Sequence, residues 1–146
     1  MKKSEMIKKL KDNEIDYNLL KKEFKISLKK GESLFEQILS QLNKKIGGYK
    51  SELMQIISPK NIIENHESKM INSSLKEDIY ENIKELSLLS WQIKKAKIST
   101  EQDKIEVIKS SLNYCLKIYN PMKKNLCEEM IKNWKKEEIK DTYYIS

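Results

Sequence analysis

The chain holds one histidine, His66, and two cysteines, Cys115 and Cys127. They are its scarcest chemical tools, and their spacing limits what they can do. Metal sites draw three or four ligands from His, Cys and carboxylates, often in signatures such as H-E-x-x-H or C-x-x-C. Neither signature occurs, and the paired E-x-x-H of di-iron bundles is also missing. Twelve positions separate the cysteines, which sets them roughly 120° apart on one continuous helix. We read them as reduced thiols. His66 follows Ile62 and Ile63 and precedes Met70 at helical spacing. That places it on an apolar side, as a partly buried, hydrogen-bonded imidazole. A catalytic base or a pH-sensitive interface residue is the sharper alternative.

Phosphate loops and nucleophile elbows need glycines in tight clusters. Gly31, Gly47 and Gly48 are the only glycines, too few for either. Glu128-Glu129 and Glu137-Glu138 are neighbours in sequence, so on a helix each pair diverges by about 100° into solvent. The expectation is a protein with no catalytic residue, no metal ligand and no cofactor.

The abundant tool is lysine. All 29 basic residues are lysine and none is arginine. Bidentate clamping of a phosphate or carboxylate is therefore excluded, and point-like, salt-sensitive attraction remains. The formal charge is +7. Residues 1–30 carry ten lysines against five acids, and the rest of the chain is nearly balanced. Read as one helix, that segment aligns Lys11, Lys22, Lys25 and Lys29. Two further clusters carry aromatics: Trp91 beside Lys94, Lys95 and Lys97, and Trp134 beside Lys135 and Lys136. Lysines near exposed rings suit a phosphate backbone with stackable bases. The plainer reading is solvation by a lysine-rich composition, with both tryptophans packed at helix edges. Rare alanine and valine, together with lysine in place of arginine, fit an AT-rich coding bias.

Helices must position these residues. Apolar residues recur every three to four positions, and strand-like alternation is nearly absent. A first, two-faced helix is predicted from about Ser4 to Lys30, with Gly31 as its stop. Leu10, Tyr17, Leu20, Phe24 and Leu28 form one face, and Ile15, Leu19 and Ile26 the other. A second helix spans about Glu32 to Ile46 and ends at Gly47-Gly48, with a short continuation from Tyr49 to Ile57. Ser58-Pro59 reads as the start of a third helix carrying Ile62, Ile63, His66 and Met70. Ser74-x-x-Glu77 reads as a capping box opening a helix that fades at Ser99. Thr100 is a further N-cap with Glu101 and Asp103 in the first turn. The last helix has the clearest stripe: Ile105, Ile108, Leu112, Cys115, Tyr119, Met122, Leu126 and Met130 fall within about 80° of arc. The stripe keeps its phase across Pro121, which favours one long helix kinked there over two.

The expected fold is all-α: one domain over 1–146, an antiparallel bundle of four to five helices with a frayed or partner-docked tail over 141–146. At 146 residues, 38% hydrophobic and 35% charged, its helices have one buried stripe and a wide wet face. No apolar run approaches the ~18 residues of a membrane span, and no signal peptide is read at the start, so a cytoplasmic protein is expected. The expected function is association without catalysis, as an accessory subunit of a nucleic-acid-handling assembly. A protein partner or a second copy would cover the apolar stripes. The alternative is an inhibitor, immunity or assembly protein that binds an acidic protein without nucleic acid.

Overall fold

A computed structural model describes residues 2–137, and they form an all-helical structure of six rods. In chain order these are α1 (Lys3–Asp12), α2 (Tyr17–Phe24), α3 (Leu34–Ile57), α4 (Ile62–Met70), α5 (Ser73–Lys97) and a compound last rod. That rod comprises α6 (Glu101–Tyr114), a π-helical turn (Cys115–Tyr119) and α7 (Asn120–Lys136). The tail over 141–146 lies outside the described residues.

Three long rods build the core. Cross-links fix their directions: Lys104 on α6 reaches Glu36 at 3.3 Å, and Lys123 on α7 reaches Glu52. The α3 and α6–α7 rods therefore run parallel. The α5 rod, joined to α6 by a short turn, runs between them the other way, and its Ser90 hydroxyl donates to Asn43 Oδ1 on α3 at 3.0 Å. Between the rods, Ile38, Leu42, Ile46 and Leu53 meet Ile79, Leu86, Ile93 and Ile108, all fully buried. Each such side chain contributes about 1.5–3 kcal/mol of transfer free energy.

The last rod follows its sequence stripe. Every stripe residue from Ile105 to Leu126 is buried, and Met130 is half-buried. The backbone stays helical across Asn120-Pro121, with Asn120 at φ −60°, ψ −44°. Proline removes the N–H that would bond the carbonyl four residues back, and its ring crowds that oxygen. The π turn just before Pro121 widens the helix where this crowding falls.

The first rod departs from expectation. It is two helices and an extended segment, not one helix from Ser4 to Lys30. The α1 helix closes with the paired bonds of a Schellman motif: Ile15 N–H to Leu10 O at 2.8 Å, and Glu14 N–H to Lys11 O at 3.0 Å. Glu14 takes the left-handed position at φ +61°, and buried Ile15 packs back on the turn that holds buried Leu10. Asp16 then caps α2, its Oδ1 accepting from Asn18 N–H at 2.8 Å. The α2 helix stops at Lys25, also left-handed at φ +53°. Beyond it, glutamine side chains on α3 pair with backbone as a neighbouring strand would. Gln41 exchanges two hydrogen bonds with Ser27, at 2.9 and 2.8 Å, and Gln37 two with Lys29, at 2.7 and 3.3 Å.

Three local expectations also fail. Gly47-Gly48 stops nothing, because α3 runs through both for 24 residues. The glycine cost of about 1 kcal/mol each is outweighed by burial of Ile46 and Leu53 on either side. Ser58 closes α3, and Asn61 is the cap of α4, its Oδ1 accepting from Glu64 N–H at 2.8 Å. Asn72 rather than Ser74 opens α5, accepting from Leu75 N–H at 2.8 Å. Thr100 caps α6 as expected, accepting from Asp103 N–H at 3.2 Å.

Candidate nucleic-acid interface

The break in the first rod redistributes the lysine row. Lys11 sits on α1, Lys22 on α2, Lys25 at the left-handed cap, and Lys29 on the extended segment, its backbone held by Gln37. These four do not share one helix face. All four are exposed, and among the described residues none lies within ion-pair distance of a carboxylate.

The second cluster occupies the last turns of α5. Lys94 and Lys95 are exposed and Lys97 is half-buried. Trp91 is 68% exposed, but Lys94 Nζ lies 4.2 Å from its ring centroid, so a cation of the same helix already covers one face. This cluster is near the first, because Lys9 on α1 pairs at 2.7 Å with Glu101, which opens α6 just after α5 ends.

The third cluster is remote. Trp134, Lys135 and Lys136 lie at the far end of the last rod, about 50 Å from Thr100 at 1.5 Å per residue. The Trp134 indole N–H donates to Glu67 Oε2 at 3.0 Å, and its ring tilts against His66 at 5.4 Å. Asn133 Nδ2 donates to Met70 O at 2.8 Å. These contacts pin α4 to α7. His66 itself is half-buried, with Nε2 2.8 Å from Glu137 Oε1. Its neighbours Ile62 and Ile63 are exposed, so the side it shares with them is not a buried apolar face.

Lys9, Lys104 and Lys123 pair with carboxylates on other helices, and Lys109 with Glu14 in the turn between α1 and α2. Of the ten lysines in residues 1–30, only Lys9 is used in this way among the described residues. The positive excess at this end is therefore turned outward.

A cleft of about 630 Å³ opens between α1 and α2 at that end, and three exposed lysines line it: Lys3, Lys11 and Lys21. Sequence reasoning named Lys11 and missed the other two. It sorted all thirty residues on one helical wheel, whereas the turn at Asn13–Asp16 resets the phase. The Asp-Asn-x-x-Asp run at 12–16 was the available signal, since such residues favour turns and caps.

Buried titratable groups gather around the π turn. Tyr49 and Tyr119 stack at 4.6 Å, and the Tyr114 hydroxyl donates to Asn82 Oδ1. Asn120 Nδ2 donates to Glu23 Oε2 at 2.8 Å, and Tyr49 OH donates to Glu23 O at 3.3 Å, tying α2 to the long rods. Burial pushes the Cys115 thiol up to about 12, aided by the Glu23 carboxylate, so it stays protonated and unreactive. Burial likewise raises Tyr49, Tyr114 and Tyr119 above the ordinary tyrosine value. Cys127 is exposed, and both cysteines are free thiols. Among the described residues, no three His, Cys, Asp or Glu side chains group as metal ligands, and no helix is long and apolar enough to cross a membrane.

Comparisons with protein-family models, with curated proteins and with solved structures return no match.

Proposed function

We propose that this protein is a non-catalytic, cytoplasmic accessory subunit of a nucleic-acid-handling assembly. It acts as a single antiparallel helical bundle, with its last rod bent at Pro121. Its α1–α2 end meets the polyanion. The observation that carries the reading is the concentration of charge at one end: residues 1–30 hold ten lysines against five acids, and among the described residues Lys9 alone of those ten pairs with a carboxylate. Unpaired ammonium groups can exchange their counterions for phosphates without first breaking a native ion pair.

The test is titration of a fluorescent single-stranded oligonucleotide, followed by anisotropy over a series of salt concentrations. Log affinity should fall linearly with log salt, by about 0.7 per phosphate engaged. No binding at ~50 mM salt, or a slope near zero, refutes the reading.

A second reading, contact with a protein, is favoured by one surface. Tyr80, Leu88 and Trp91 share the outer face of α5, at 59%, 49% and 68% exposure, and Ile98 follows just beyond the helix at 88%. The face suits a protein neighbour within such an assembly, or an acidic partner bound without nucleic acid. Co-purification separates the two: nucleic acid retained through a high-salt wash supports the first reading, and a stoichiometric acidic protein supports the second.

A further inference from the structure

We infer that the α1–α2 cleft is a phosphate cradle for a single strand of nucleic acid, with Lys3, Lys11 and Lys21 as its phosphate ligands. The inference rests on the polyanion reading above and gives it an address. Lys3, Ile7 and Lys11 form an i, i+4, i+8 ridge along α1, and Lys21 lines the cleft from α2. Lys3 and Lys11 are separated by about 12 Å along the helix axis. Successive phosphates of a helical strand advance only ~3.4 Å along their axis, so the two ammonium groups meet different phosphates.

Two carboxylates also line the cleft, and both are engaged elsewhere. Glu14 Oε2 lies 3.2 Å from Lys109 Nζ on α6. Asp16 Oδ1 accepts the Asn18 N–H at 2.8 Å and caps α2. Lys3, Lys11 and Lys21 have no carboxylate within ion-pair distance among the described residues. The open charge of the cleft is therefore positive. Asp16 fills the N-terminal end of α2, so the anion would be held by the lysines and not by helix amides.

The cleft also has an apolar floor. Ile7 is half-buried, and Ile15 and Tyr17 are 2% and 9% exposed. An unpaired base can rest an apolar edge on Ile7, the floor residue with open surface, while its phosphates stay on the lysine rim. A duplex keeps its bases stacked inside and would use the rim alone. A bilayer surface would gain little, because the apolar residues point inward and the exposed rim is polar: Lys3, Lys11 and Lys21 with Glu14 and Asp16.

The experiment compares two triple variants by anisotropy with a single-stranded oligothymidylate. One is Lys3→Gln, Lys11→Gln, Lys21→Gln. The other, Lys60→Gln, Lys69→Gln, Lys124→Gln, removes the same charge from exposed positions outside the cleft that have no ion pair among the described residues. Circular dichroism confirms that both keep the helices. The cleft variant should bind roughly tenfold more weakly at ~50 mM salt, with a salt slope shallower by about 2, whereas the control should change by less than about threefold. Equal losses in both variants overturn the cradle and leave the polyanion reading standing. A wild-type protein that binds no oligonucleotide overturns both. Tighter binding to duplex of the same length, or binding only to anionic phospholipid vesicles, also overturns the cradle.

Discussion

Two tyrosines five positions apart on the last rod should respond in opposite directions to the same one-atom deletion. Tyr119 OH is buried and finds no hydrogen-bond partner among the described residues, while its ring stacks on Tyr49. Tyr119→Phe keeps the stack and removes only the oxygen. A buried unpaired hydroxyl carries a desolvation penalty of about 1–3 kcal/mol, so its loss relieves more than the small void takes back. A gain of about 1 kcal/mol is expected. Tyr114 OH instead donates to the buried Asn82 Oδ1. Tyr114→Phe loses that bond and strands an acceptor, because Asn82 keeps only its donor bond to Asp78 O at 2.8 Å. A loss of about 1–3 kcal/mol is expected. For a chain of this length, 1 kcal/mol moves the melting temperature by about 3–4 °C, so the two variants should melt roughly 10 °C apart. Thermal and urea unfolding followed by helical circular dichroism read the difference. If Tyr119→Phe destabilises as much as Tyr114→Phe, the polar accounting around the π turn is wrong.

Other expectations concern separate parts of the fold. A Cβ at Gly47 or Gly48 meets nothing within 4 Å, and both lie inside α3, so Gly47→Ala and Gly48→Ala should each stabilise by about 0.5–1 kcal/mol in urea titration. Gln37→Ala should remove the bonds to Lys29 backbone, cost about 1–3 kcal/mol, and speed hydrogen exchange at the Lys29 amide. Alkali should unfold the protein through its buried acids. The unfolded chain releases protons from Cys at 9.0 and Tyr at 10.0, whereas the raised groups in the folded state hold theirs. The contribution of these groups to stability should therefore be level below about pH 9 and fall as pH rises beyond it. At neutral pH a thiol reagent should label Cys127 at once and Cys115 only on unfolding.

The legible parts of this fold are those where one pattern persists. The stripe from Ile105 to Leu126 was readable because about six turns repeat it, and neither Pro121 nor the π turn destroys its outcome. The first rod was misread because its two stops are built on Glu14 and Lys25, residues that seldom take left-handed backbone and so give no warning. Gly47-Gly48 erred the other way: local propensity pointed to a stop, and packing of Ile46 and Leu53 overrode it. Helix starts at Asn61 and Asn72 were hidden because Ser58 and Ser74 offered equally good caps nearby. The candidate site was half-legible. Composition located the charge excess in residues 1–30, but which lysines stay unpaired depends on contacts such as Glu36–Lys104 and Glu14–Lys109, between positions far apart in sequence.

Lysine footprinting tests the central claim most directly. The protein is acetylated briefly with and without a single-stranded oligonucleotide at low salt, and each lysine is quantified by mass spectrometry. Protection should concentrate at Lys3, Lys11 and Lys21, with Lys60, Lys69 and Lys124 unchanged. Protection spread evenly over the exposed lysines, or centred on Lys135 and Lys136 at the far end of the last rod, would contradict the account.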